Sequence, residues 1–361
     1  GIEFPEANNT TTYVHFEPYK DVMNIYKKQN EFGFYDGSAT FDGDIELRPT
    51  GLTGCGIMKL ENAEVSSNFF VYNAVFFNAD TADLVVNADN IGGVAFQSKN
   101  LRTYIDLEDK IGMFYSNGAE SYVQLPENQY ICYIDKLKWD MQQQLLELGE
   151  TSTTASGTEF VSSHPQQDSL SFVAKTANYS LKDYVIHAGG VEKIEVADAI
   201  IFPDSGKVVV EKKAKIRTLE NAMIQANNLT EYHTFKNASI NILAKSSYKG
   251  TGEYAYKDEL GNEQIIYFND IKVNEDVHTI ASGAVDDEQP FKLGAKFSFK
   301  GNVNLIAEDK YLTFDGYFKM DHQCSFIPIE WVRFTSEIAP DNITLELDSV
   351  VVNDDEERLS T

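Results

Sequence analysis

Apolar residues in this chain recur mostly at a spacing of two, in runs of roughly four to seven residues closed by Gly, Asn, Asp or Pro, the pattern of half-buried strands. In the first half this predicts strands at Asp44–Leu47, Gly56–Leu60, Glu64–Ser66, Phe69–Phe77 and Asp83–Asn87. Further strands are expected at Val94–Gln97, Leu101–Leu107, Gly112–Ser116, Ser121–Leu125 and Tyr130–Ile134. The second half continues with Leu170–Ala174, Ala177–Leu181, Tyr184–Ala188, Val191–Val196, Ile200–Phe202, Lys207–Glu211, Lys215–Leu219 and Met223–Ala226. Tyr248 to Phe268 gives the clearest local prediction: a hairpin with Tyr254 and Tyr256 on one arm, Asp258 to Asn262 as the turn and Ile265 to Tyr267 on the other.

Two stretches break the rhythm. Tyr19, Val22, Met23 and Tyr26 fall at helical spacing behind Pro18, which predicts a short helix from Pro18 to Gln29. Leu137, Met141, Leu145 and Leu148 do the same before Gly149, so a second helix is expected after Leu137. Neither is long enough to make the crossovers of a parallel sheet. The expected fold is all-β, an elongated stack of strands of the β-taco, solenoid or sandwich kind, with one or two short helices.

The tract Glu150–Thr158 is rich in Ser and Thr and reads as a linker. It predicts a β-rich repeat domain at 1–149 with a helix at each end, a second β-rich repeat domain at 159–352 and a frayed acidic tail at 353–361. Two internal echoes suggest repetition. Leu60-Glu61-Asn62-Ala63 matches Leu219-Glu220-Asn221-Ala222. Phe41-Asp42-Gly43-Asp44-Ile45-Glu46-Leu47 matches Phe299-Lys300-Gly301-Asn302-Val303-Asn304-Leu305 as F-x-G-x-[IV]-x-L.

Composition narrows the function classes. Asp and Glu number 56 against 30 Lys and Arg, a formal net charge of -26, which repels phosphate backbones and excludes nucleic acid as a partner. Phe and Tyr number 23 and 19, as suits an aromatic sheet core. No apolar run approaches the roughly 20 residues of a transmembrane helix. The chain opens on Gly1 rather than Met, which fits export through a removed signal peptide or excision from a longer protein.

Candidate chemistry is sparse. Cys55, Cys132 and Cys324 are far apart and form neither a disulfide framework nor a CxxC site. Of His15, His164, His187, His233, His278 and His322, only the last has a suggestive neighbour, in Asp321-His322-Gln323-Cys324, and a zinc site needs a second pair that is not there. Asp286-Asp287-Glu288 and Asp354-Asp355-Glu356-Glu357 lack calcium-loop spacing and read as solvated runs. Gly250-Thr251-Gly252 precedes a Tyr-rich strand rather than a helix, so it is no nucleotide fingerprint. Aromatic stripes at Phe69/Val71, Tyr254/Tyr256 and Phe297/Phe299 read as inward faces, with a sugar platform or lipid-lined channel as the functional alternative. Asp80-Thr81-Ala82, Asp168-Ser169-Leu170 and Asp348-Ser349-Val350 look like the O-glycosylation acceptors of Bacteroidetes secreted proteins. No catalytic, cofactor-binding or metal-binding residue is assigned.

One further set of segments is Ala174-Lys175-Thr176-Ala177-Asn178-Tyr179, Tyr184-Val185-Ile186, Gly190-Val191, Ala197-Asp198-Ala199-Ile200 and Gly206-Lys207-Val208-Val209-Val210. Together with Gly301-Asn302-Val303 and Leu312-Thr313-Phe314-Asp315-Gly316, this resembles the OstA-like β-jelly-roll, or β-taco, of Gram-negative lipopolysaccharide transport proteins. The resemblance covers about half the chain, mainly after Leu170. It implies folded-over sheets around an apolar groove, a place in the periplasm, outer envelope or cell surface, and a lipid, glycolipid or envelope protein as partner. The expected function is a non-enzymatic scaffold that binds an amphipathic ligand or a partner protein. The alternatives are a carbohydrate-binding or carbohydrate-active β-solenoid, lyase or hydrolase, and an adhesin segment.

Overall fold

The computed structural model describes residues 5–9, 11–88, 92–118, 120–149, 157–286, 288, 290–323, 330–345 and 350–359. It is all-β: among the described residues the only helical turns are three-residue 3-10 turns at Tyr35–Gly37 and Asp204–Gly206. The chain divides into two compact units, one of residues 1–165, 171–191 and 207–215, the other of 166–170, 192–206 and 216–361.

The expected boundary at 150–158 is not where the units divide. Thr158–Ser162 pairs with Tyr130–Tyr133, and Thr176–Ser180 with Leu145–Leu148, so the chain on both sides of the Ser/Thr tract builds one sheet. Residues 150–156 lie outside those described.

In the first unit, Ala39–Arg48, Gly51–Lys59, Ala63–Tyr72, Phe76–Asn87 and Val94–Asp106 form one antiparallel meander of long strands. Most of them break register near their middle. The last strand then forks. Its residues 101–106 pair with Ile111–Ser116, and its residues 97–99 pair with Tyr122–Leu125. From the fork, one ladder runs through Ile111–Ser116, Lys136–Asp140, Leu145–Leu148, Thr176–Ser180, Val185–Gly189 and Val208–Val210. The other runs through Tyr122–Leu125, Tyr130–Tyr133, Thr158–Ser162 and Ser171–Ala174.

The two ladders face each other. Asn128, in the turn joining Tyr122–Leu125 to Tyr130–Tyr133, donates from Nδ2 to the carbonyls of Tyr184 (2.8 Å) and Val210 (3.3 Å). Those carbonyls belong to the opposite ladder. Both ladders leave the same edge of Val94–Asp106, with the Asn128 turn between the first and second strands of one, Tyr184 between the fourth and fifth of the other and Val210 on its sixth, so a flat sheet would hold them about three to five strand spacings, roughly 14–24 Å, apart. Only a sheet doubled back on itself brings them into contact.

The second unit is a single meander through Ile194–Val196, Ala199–Phe202, Leu219–Ala226, His233–Ala244, Ser247–Lys257, Glu263–Val273, Thr279–Val285, Phe297–Ile306, Leu312–Met320 and Val332–Ile338. It doubles back as well. The rings of Tyr256 and Phe314 lie four strands apart along the sheet, roughly 19 Å if flat, yet their centroids are 5.6 Å apart.

The doubling explains the F-x-G-x-[IV]-x-L echo. Gly43 pairs directly with Gly56 in the first unit, and Gly301 with Gly316 in the second. A Cβ on Gly301 would lie 2.6 Å from the Gly316 Cα, so the strands approach at a bend where no side chain fits. Phe41 and Phe299, two residues upstream, are buried and fold their rings over the bare backbone. The Leu-Glu-Asn-Ala echo has no such meaning: 60–62 is a turn, whereas Leu219–Ala222 lies in a strand with a bulge at Asn221.

Both expected helices are hairpins. Thr12–Glu17 pairs with Val22–Lys27 across residues 18–21, and Lys136–Asp140 pairs with Leu145–Leu148 across 141–144. In each, a four-residue loop between two period-two arms offsets the apolar positions by about one helical turn. Leu137, Trp139, Leu146 and Leu148 are buried and alternate, while Met141 and Leu145 are only half-buried. The Tyr248–Phe268 hairpin is as expected, and Asp258 holds its turn by accepting from the backbone N–H groups of Leu260 (2.9 Å) and Asn262 (2.8 Å). The described part of the tail is paired rather than frayed: Val332 bridges Asn353, and Lys300 pairs with Asp354 at 3.0 Å.

Candidate functional site: a cavity at the loop rim of the first unit

Five hairpins of the first unit turn through four-residue loops whose last residue has positive φ: Asp21, Lys110, Gln129, Gln144 and Tyr184, between 49° and 57°. Three of these loops, 107–110, 141–144 and 181–184, sit in a row on one ladder. They are stitched together by the backbone. The Lys110 carbonyl accepts the Met141 N–H at 3.1 Å, and the Gln144 carbonyl accepts the Leu181 N–H at 2.9 Å. The left-handed residue that closes each loop thus supplies the acceptor for the first residue of the next.

The first and last residues of these three loops are Leu107 and Lys110, Met141 and Gln144, Leu181 and Tyr184, and all six line one cavity of about 450 Å³. Across from them are the turn at 60–62 and residues 86–88, where the strand Phe76–Asn87 ends, with Ala95. Val86, Ala95, Trp139 and Tyr184 form a buried floor, and half-buried Leu60, Leu107, Met141 and Leu181 form the walls. The exposed lining is polar: Ser38, Glu61, Asn62, Asn87, Lys110 and Gln142. The cavity is apolar below and polar at its mouth, and its volume falls in the range of small-molecule sites.

Trp139 is fixed by packing. Gly112 stands opposite it in register, leaving room for the indole, and Phe96 from the fork strand meets it edge-on at 5.9 Å. The residue is 5% exposed, and its Nε1–H finds no acceptor among the described residues. Leaving such a donor unpaired costs about 1–3 kcal/mol.

The residues singled out in the sequence are not brought together here. His15 and His187 are exposed on strands, and His233 is fully buried. The His233 Nε2–H donates to the Asp309 carbonyl at 2.7 Å and its Nδ1 accepts from the Tyr254 hydroxyl at 3.2 Å, while burial holds its pKa below the ordinary value. His278 lies 3.4 Å from Glu308 and 3.9 Å from Asp198. Cys324 and Asp287 fall outside the described residues, as do Asp348 and Ser349; Thr81 and Ser169 are exposed. Among the described residues, no three His, Cys, Asp or Glu side chains cluster as metal ligands. Tyr256 and Phe299 point inward as expected. The Phe69/Val71 stripe is out of phase: Phe69 is exposed, while Phe70 and Tyr72 enter the core.

Sequence reasoning missed the cavity entirely. Its floor at Val86, Ala95 and Trp139 lies on strands, but its walls and mouth belong mostly to turns, where no periodicity marks them, and the one available signal was the apolar first position shared by Leu107, Met141 and Leu181. No family model matches the chain, and no curated protein matches it. Among the described residues, no helix is long and apolar enough to cross a membrane.

Proposed function

We propose that the protein is a non-enzymatic binding scaffold of the cell envelope or surface, and that the first unit takes an amphipathic ligand into the cavity at its loop rim. The observation that carries this reading is the segregation within one cavity: a buried apolar floor at Val86, Ala95 and Trp139 under a mouth of exposed amides and charges. Such a lining suits a molecule with an apolar tail and a polar head. The folded-over sheet also fits the resemblance to OstA-like proteins, and an envelope location follows from that resemblance.

Native mass spectrometry of the intact protein after incubation with a Gram-negative envelope lipid extract tests the reading. A stoichiometric lipid adduct is expected on the wild type and not on Leu107→Glu, which sets a charge in the cavity wall. Absence of any adduct, or an equal adduct on Leu107→Glu with the fold intact by circular dichroism, refutes it.

A further inference from the structure

We infer that the strand Thr12–Glu17 is an interface, and that its occupant is the same strand of a second copy of this chain, paired antiparallel about a two-fold axis through Val14. The inference is independent of the cavity. Three observations carry it.

The first is an open strand. Thr12–Glu17 pairs with Val22–Lys27 along one edge, and among the described residues no strand pairs with its other edge. Tyr13 and His15 leave one face of this ribbon and Val14 and Phe16 the other. All four are exposed, Tyr13 by 56%, Val14 by 48% and Phe16 by 55%. Edge strands that stay single carry Lys, Pro or a bulge, and Thr12–Glu17 carries none of them. Apolar side chains on both faces beside an open backbone edge suit strand addition.

The second is register. The Lys28 N–H donates to the Thr11 carbonyl at 3.1 Å, which sets the phase of the hairpin. Tyr13, His15 and Glu17 turn their backbone groups toward Val22–Lys27, and Thr12, Val14 and Phe16 turn theirs outward. Two antiparallel copies that meet on the outward groups overlap most fully when Val14 faces Val14 of the second copy. Thr12 then faces Phe16 on one side of the sheet, and Tyr13 faces His15 on the other. Each of these pairs joins β-branched or aromatic side chains, and none sets like charges opposite each other. Such a contact is isologous and closes at two copies.

The third is charge. The chain carries -26, so two copies repel over most of their surfaces. From Thr12 to Lys28 the balance reverses, with Lys20, Lys27 and Lys28 against Glu17 and Asp21. In the centred register Glu17 faces Thr11 of the second copy, whose neighbour across its own hairpin is Lys28. Glu17 and Lys28 of the second copy therefore lie two strand spacings apart, roughly 10 Å, once at each end of the contact. The hairpin supplies its own complement in shape and in charge.

Sedimentation velocity of the intact protein tests the inference at about 10 to 500 μM, because a single strand pair is at the small end of protein interfaces. The expected result is a monomer–dimer equilibrium with no larger species. In Val14→Pro the lost N–H faces outward, so the hairpin keeps its own ladder, and an edge position tolerates the ring. The change deletes both central hydrogen bonds of the pair, one from each copy, and should weaken dimerisation by about tenfold or more. Register is read by mild oxidation in a Cys55→Ser, Cys324→Ser background. Val14→Cys should cross-link, since facing Cα atoms are about 5.5 Å apart. Glu17→Cys should not, since its two copies lie about 20 Å apart. The inference is overturned by a protein that stays monomeric throughout the range, by assembly beyond the dimer, or by a dimer that Val14→Pro leaves unchanged with the fold intact by circular dichroism. A dimer that cross-links through Glu17→Cys, or fails to cross-link through Val14→Cys, overturns it as well.

Discussion

Replacing Gly316 by Ala probes the bend of the second unit with a single methyl group. The φ of Gly316 is one that any residue can adopt, so only space opposes the change. An added Cβ would lie 2.7 Å from the Gly301 Cα and would also collide with the Lys300 carbonyl oxygen. The first of these contacts is 0.7 Å inside the 3.4 Å at which ordinary contact begins. Both obstacles are backbone and neither can swing away, so the strands must part. Overpacking of this kind costs about 1–3 kcal/mol. Each ladder hydrogen bond lengthened at the Gly301–Gly316 pair adds about 1 kcal/mol, which gives about 2–4 kcal/mol in all. For a unit of this size that is a fall in Tm of roughly 5–15 °C. Gly261→Ala is the control. Its φ is +81°, but nothing lies within 4 Å of the new Cβ, so only the left-handed backbone opposes it, at about 1–2 kcal/mol. Urea unfolding followed by aromatic circular dichroism reads both, because Phe299, Phe314, Phe318 and Phe334 pack around the bend. A Gly316→Ala protein as stable as Gly261→Ala would refute the close-approach reasoning.

Asn128→Ala removes the amide that spans the two ladders of the first unit and both of its hydrogen bonds, so urea unfolding should show a loss of about 1–3 kcal/mol. The His233 pKa is depressed in the folded protein, so its contribution is fully present above the unfolded value of about 6.5 and is lost as pH falls toward the folded value. Thermal unfolding of the wild type should therefore lose stability below about pH 6.5, and His233→Asn should flatten that part of the profile; parallel profiles would contradict it. Burial pushes the Cys132 thiol well above its ordinary range, whereas Cys55 is exposed. Mass mapping after brief iodoacetamide treatment of the native protein should find Cys55 modified and Cys132 untouched until denaturant is added.

The strand content was legible because alternation survives in each arm, as in Tyr248–Phe268. Strand lengths were not. Ala39–Arg48 and Gly51–Lys59 each carry a glycine near the middle, at Gly43 and Gly56, and a glycine in an alternating run reads as a strand end. Here it marks the point where the strand bends and continues into the opposite layer. The two false helices share a second cause. Their loops are closed by Asp21 and Gln144 in the left-handed region, rather than by the Gly or Asn that announces a hairpin. The same disguise hid the cavity, since Lys110 and Tyr184 close its other loops and no turn signal drew attention to them. The glycine echo at Phe41 and Phe299 was readable because close approach leaves only one residue type available.

The most direct test of the account is the indole resonance of Trp139 in ¹⁵N-labelled Trp331→Phe protein, in which it is the single tryptophan, followed as a Gram-negative envelope lipid extract is added. Because the Trp139 ring lines the cavity, the account predicts that this resonance shifts and saturates. A resonance that stays in place, while the rest of the spectrum stays that of a folded protein, would contradict it.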